Sequence, residues 1–227
     1  MKQQSNLIVM LTRQDRTVEN AAAIFEQSRH AAAEYWGFKE AGLPLPEMRK
    51  LFQRMRDCHK KTALEVVAYT ESECLQGARM AAECGCDLLM GTVFSDAVNK
   101  FCQDHHIQYM PFVGTVSGRP SVLEGGIDEM VLQAKTYLQK GVFGIDLLGY
   151  RYTGDKSRLI RRFVAEVNAP VCVAGSVDSC GRLDEIRRTA PWAFTIGSAF
   201  FEHKFGPDFA GQIDRVVRYM EQGGPLC

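Results

Sequence analysis

The chain has 227 residues, 46% of them hydrophobic and 24% charged, proportions that suit one globular α/β domain spanning residues 1–227. Its 27 basic and 27 acidic side chains balance, which leaves no net field to recruit nucleic acid or an anionic membrane. The first apolar run, 7–11, is too short for a signal core or a membrane span. The eight cysteines are scattered and lack a C-x-x-C, which favours a reduced, cytoplasmic chain with free thiols.

From the N-terminus, short apolar runs alternate with helix-patterned segments. Residues 7–11 read as a strand and 18–33 as an alanine-rich helix; 35–39 is a second strand, followed by an amphipathic helix over 46–60. A third pair spans 63–68 and 71–84, and a fourth spans 87–91 and about 96–105. A fifth strand covers 107–113. The glycine-rich stretch 114–126 that follows has the length and composition of a lid, and it leads to a helix over 127–139. Residues 141–148 and 156–167 make the sixth pair.

Two runs close the count: Val-Cys-Val-Ala-Gly-Ser-Val (171–177) and Phe-Thr-Ile-Gly-Ser-Ala-Phe (194–200), with a turn over 198–204 and a last helix over 209–222. Eight strand–helix units with short connections predict a parallel sheet closed into a (β/α)8 TIM barrel. The competing open, doubly wound sheet lacks support, because Thr12-Arg-Gln-Asp-Arg16 rather than G-x-G-x-x-G follows the first strand.

Barrel chemistry sits at the C-terminal strand ends. Side chains alternate along a strand. Trp36 and Phe38 therefore pack outward and leave Lys39 facing in; Leu64 and Val66 do the same for Glu65, and Ile145 and Leu147 for Asp146. Three charged residues that would converge on one mouth form either an acid–base site or an internal salt bridge. Arg13 in the first loop and Arg151 directly after the sixth strand are candidate substrate-binding forks; Arg16 and Arg119 are loop charges. Met10, Met90 and Met110 read as core filler. No histidine falls at a strand end, which argues against zinc. No cofactor is called for, and an oxygen-rich Mg2+ site on Glu65 and Asp146 is the one metal alternative.

The two Gly-Ser strand ends would aim backbone N–H groups and hydroxyls into one small volume beside a helix N-terminus, so a phosphate is the natural guest. Residues 171–201, with Val-Ala-Gly-Ser-Val and Phe-Thr-Ile-Gly-Ser-Ala, resemble the phosphate grip of the ribulose-phosphate-binding barrel superfamily. That group includes N-acetylmannosamine-6-phosphate epimerases and 2-keto-3-deoxy-6-phosphogluconate aldolases. The resemblance implies a phosphorylated small-molecule substrate held by Gly175, Ser176, Gly197 and Ser198, and a barrel that often forms homo-oligomers. Glu65-Val66 is similar to an early-strand glutamate of the aldolases. Their Schiff-base lysine comes from the sixth strand, where this chain has Asp146, and the Asp-x-Lys-x-x-Asp of the decarboxylases is absent.

The resulting expectation is an isomerase or epimerase of a phosphorylated sugar or sugar acid, with Glu65 as base, Lys39 as acid or electrostatic stabiliser and Asp146 as second proton carrier. The alternatives are an aldolase acting through a Lys39 Schiff base and a sugar-phosphate-binding protein without turnover.

Overall fold

In the computed structural model, which describes residues 4–223, the short apolar runs become strands β1 (Asn6–Met10), β2 (Tyr35–Lys39), β3 (Lys61–Val66) and β4 (Leu88–Gly91). They continue as β5 (Gln108–Met110), β6 (Ile145–Leu147), β7 (Val171–Val173) and β8 (Ala193–Ile196). Every pairing between these strands is parallel, and the ladder runs β6-β7-β8-β1-β2-β3-β4-β5. Across the remaining seam, Phe143 N–H donates to Tyr109 O at 3.0 Å and Asp146 N–H to Pro111 O at 3.1 Å. These bonds bring β5 to β6 and nearly close the (β/α)8 barrel.

The outer layer is α1 (Ala21–Ser28), α2 (Leu45–Asp57), α3 (Glu71–Cys84), α4 (Asp96–Asp104), α5 (Ile127–Gln139), α6 (Lys156–Glu166), α7 (Cys180–Thr189) and α8 (Phe209–Gln222). The expected boundaries hold best where the chain carries caps. Thr70 and Glu73 form a capping box at α3, and Asp208 accepts Gly211 N–H at 2.6 Å at the start of α8.

Alternation along the strands sorts the core into two shells. Outward, Trp36 meets Phe25 edge-on at 5.2 Å and Phe38 stacks on Phe52 at 4.1 Å, tying β2 to α1 and α2. Inward, Ile8, Met10, Ala63, Leu88, Met90, Met110, Cys172 and Ala193 fill the barrel, closed below by Tyr35, Phe143 and Trp192. The three methionines are the filler that the sequence suggested. Gly37 is an inward position without a side chain for a steric reason: a Cβ there would lie 2.4 Å from the carbonyl oxygen of Ala63.

Four segments differ from expectation. The helix expected over 18–33 shrinks to α1, and a small antiparallel ribbon, Thr12–Arg13 with Arg16–Thr17, takes up the first loop. β5 and β6 are three-residue strands rather than long ones; Pro111, without an N–H, ends the first, and Gly141 at φ +87° turns the chain before the second. The glycine-rich stretch folds as a hairpin, Thr115–Ser117 against Val122–Glu124, and the turn after β8 holds a short helix, Ser198–Phe201. Cys58, Cys74, Cys84, Cys86, Cys102 and Cys172 are free thiols, whereas Cys180 is disulfide-bonded, which departs from the all-thiol expectation.

Candidate active site

Lys39 and Glu65 end up opposite each other because β2 and β3 pair with Lys39 in register with Glu65. The Lys39 ammonium sits 3.0 Å from Glu65 Oε1 and 2.5 Å from Asp15 Oδ1, and all three side chains are about nine-tenths buried. Thr17 holds the tip of β2 in place: its hydroxyl donates to the Lys39 carbonyl at 2.7 Å and accepts the Lys39 N–H at 3.0 Å. Burial works against the Lys39 charge, but the attraction of Glu65 and Asp15 and the hydrogen bonds to both outweigh it, so the ammonium pKa is raised.

Asp15 is the member that sequence reasoning missed. It lies in the turn of the first-loop ribbon with φ +65°, next to Gln14 at φ +49°, a left-handed conformation that aspartate tolerates better than most residues. Read locally, Thr-Arg-Gln-Asp-Arg draws the eye to its arginines. The backbone then does the opposite of what that suggests: Asp15 turns onto the cavity wall, while Arg13 is exposed in a neighbouring groove with Arg16 and Glu19 and is not among the residues that line the cavity. The available signal was Asp15 within a short loop at a barrel strand end.

Asp146 faces the barrel interior, but it is fully buried and does not line the cavity. Neither carboxyl oxygen has a hydrogen-bond partner among the described residues. Burial, reinforced by Glu65 and opposed by Lys39 and the Gly91 backbone, pushes its pKa well above the usual carboxylate range. Its surroundings thus favour the protonated carboxyl. Cys172, in register with Asp146 on β7, is also buried; burial first, then Asp146 and Glu65, raises its thiol pKa well above 9.0, which makes it inert.

A cavity of about 320 Å³ opens above this cluster. Lys39, Glu65 and Asp15 form one wall, and Gly175, Ser176, Gly197 and Ser198 form another. Gly175 (φ +88°) and Ser176 (φ +59°) turn the chain sharply after β7. Arg151 comes off the 3-10 turn Gly149–Arg151 and packs over Gly175, where a Cβ would lie 2.6 Å from its Cγ. Ser198 begins the short helix, and its hydroxyl accepts the Gln14 N–H at 3.3 Å.

The hairpin after β5 brings Pro120 and Ser121 to the cavity. Arg119 pins it, donating to Glu40 Oε1 at 2.5 Å and to Val67 O at 2.7 Å, and Tyr69 donates its hydroxyl to Gly118 O at 2.8 Å. The expected loop charge Arg119 is therefore an anchor. Among the described residues, no group of three or more His, Cys, Asp or Glu side chains is disposed to hold a metal ion, and no helix is long and apolar enough to cross a membrane.

Three solved structures set this geometry beside known proteins. A native KDPGal structure superposes with a TM-score of 0.68 at 15% identity over 98% of this chain and 100% of that one. The orotidine 5'-phosphate decarboxylase of Pyrococcus horikoshii OT3 gives 0.66 at 10% identity over 95% and 99%. The N-acetylmannosamine-6-phosphate 2-epimerase of Clostridium perfringens gives 0.63 at 10% identity over 86% and 87%. No protein-family model matches the sequence, and comparison with curated proteins finds no match. At these identities the likeness is one of fold: the chain shares the (β/α)8 barrel of these structures.

Proposed function

We propose that this protein is an isomerase or epimerase of a phosphorylated sugar or sugar acid, working by acid–base proton transfer next to a carbonyl. The observation that carries this reading is one cavity with two chemically distinct walls, Gly-Ser turns on one side and the Lys39–Asp15–Glu65 cluster on the other.

The phosphate would be held by the turns after β7 and β8. The first N–H groups of a helix have no intrahelical partner, and Ser198 and Ala199 line the cavity. Ser176 and Ser198 supply hydroxyls, and Arg151 supplies a guanidinium. This hold keeps the carbonyl end against the opposite wall.

There, Glu65 removes the proton from the carbon next to the carbonyl. An ammonium has three N–H donors, and Lys39 uses two on Asp15 and Glu65, so the third remains for the substrate oxygen that becomes the enediolate. Asp146 supports Glu65 from behind, as a proton-holding residue rather than one that touches substrate. The raised Lys39 pKa argues against the aldolase alternative, because a Schiff base needs the free amine.

The test is a thermal-shift screen of sugar phosphates followed by NMR in deuterated water. Proton transfer predicts deuterium entry at the carbon beside the carbonyl. Glu65→Gln and Lys39→Ala should each lower turnover by about 10²–10⁴-fold while phosphate-ligand binding survives. Full activity in either variant overturns the assignment. A borohydride-trapped adduct at Lys39 would select the aldolase, and binding without any conversion would select a non-catalytic binder.

A further inference from the structure

Charge is distributed unequally between the two ends of the cavity. Arg151 stands over Gly175 at the phosphate end. At the opposite end Lys39 is the cation, and it is already shared between two carboxylates at 2.5 and 3.0 Å. The uncharged polar side chains that line the cavity are Thr12, Gln14, Ser121, Ser176, Thr195 and Ser198. Thr12 Oγ1 and Asp15 Oδ2 are buried and have no hydrogen-bond partner among the described residues. The rim adds Asp178, paired with Arg182 at 2.8 Å, and Glu202, 3.8 Å from Lys204.

A substrate carboxylate at this end would have to sit against Asp15 and Glu65, with Lys39 already shared between those two groups, so like-charge contact opposes it. A single carbonyl oxygen matches the single remaining Lys39 donor.

We infer that the reacting end of the substrate is uncharged, so that the site takes an aldose or ketose phosphate and rejects the phosphate of a sugar acid or keto acid. This rests on the phosphate reading of the Gly-Ser turns and narrows it to one of the two substrate classes.

Isothermal titration of the full chain with matched pairs tests the inference: each aldose phosphate from triose to hexose beside the aldonic acid phosphate of the same carbon skeleton, with inorganic phosphate as a third ligand. The sugar phosphate of the best-bound pair should bind at least about tenfold more tightly than its acid, a difference expected from placing a carboxylate against two like charges. Asp15→Asn, checked for folding by circular dichroism, should narrow the gap by strengthening binding of the acid. Equal or tighter binding of the acid by the wild-type chain overturns the inference and leaves the phosphate reading standing. Failure of every ligand, inorganic phosphate included, overturns the phosphate reading and the inference with it.

Discussion

Asp146 sits in the barrel with both carboxyl oxygens unpartnered among the described residues, and its pKa is raised by burial first and by Glu65 second. The sign of its effect on stability follows. The folded state keeps a proton that the unfolded chain releases above about 3.8, so this group's contribution falls as pH rises from there and is least favourable above the raised value. Asp146→Asn should therefore stabilise the protein near neutral pH and flatten the acid side of the stability profile. Urea unfolding at a series of pH values measures both. A less stable variant with an unchanged profile would mean that the carboxyl has a partner. Lys39 titrates in the opposite regime: its raised pKa keeps the ion cluster intact below 10.5 and releases it only as pH climbs through the folded value.

Among the elements, the hairpin over 115–124 is held at its tip by Arg119 and Tyr69 and at its base by the fully buried Leu123, whose carbonyl accepts the Thr153 N–H at 3.0 Å. The Arg119–Glu40 pair is partly exposed and worth at most about 1 kcal/mol to global stability. Arg119→Ala should leave the unfolding midpoint almost unchanged while making 114–126 more sensitive to limited proteolysis and weakening ligand binding by about threefold to tenfold. Unchanged proteolysis would mean that Tyr69 and the Leu123–Thr153 bond suffice as anchors. This hairpin also marks the limit of what the sequence discloses. β2, α3, α5 and α8 lie where periodicity and caps put them, and the inward turn of Lys39, Glu65 and Asp146 follows from strand alternation. Three-residue strands carry too little alternation to distinguish them from a glycine-rich loop. Asp15 was hidden for another reason: its value depends on which side of a two-residue ribbon faces the cavity, and its contact lies 24 residues along the chain.

For the whole molecule, the barrel's strength is uneven around its circumference. β1 to β3 run five or six residues and pair in long registers, whereas β5, β6 and β7 have three residues each. The β5–β6 seam is joined by a few bonds through Tyr109 and Pro111. Local opening follows the density of backbone bonding and packing. Hydrogen exchange should show the amides of Phe143, Gly144 and Asp146 exchanging before those of Trp36 to Phe38. Equal protection at both places would argue that the outer helices, not the strand ladder, govern opening.

The closure of β8 onto β1, with Asn6 opposite Ala193 and Val9 opposite Ile196, has a consequence for the order in which the chain can become competent. Asp15, Thr17, Lys39 and Glu65 all fall within the first 65 residues and can meet while the C-terminal half is still being synthesised. The Gln14–Ser198 contact spans 184 residues and waits for both ends of the chain. Loop-closure entropy delays contacts of that span. The Lys39–Asp15–Glu65 cluster is therefore an early product of folding and the proposed phosphate grip a late one. A nascent or truncated chain would carry the reactive groups with nothing to hold a substrate against them.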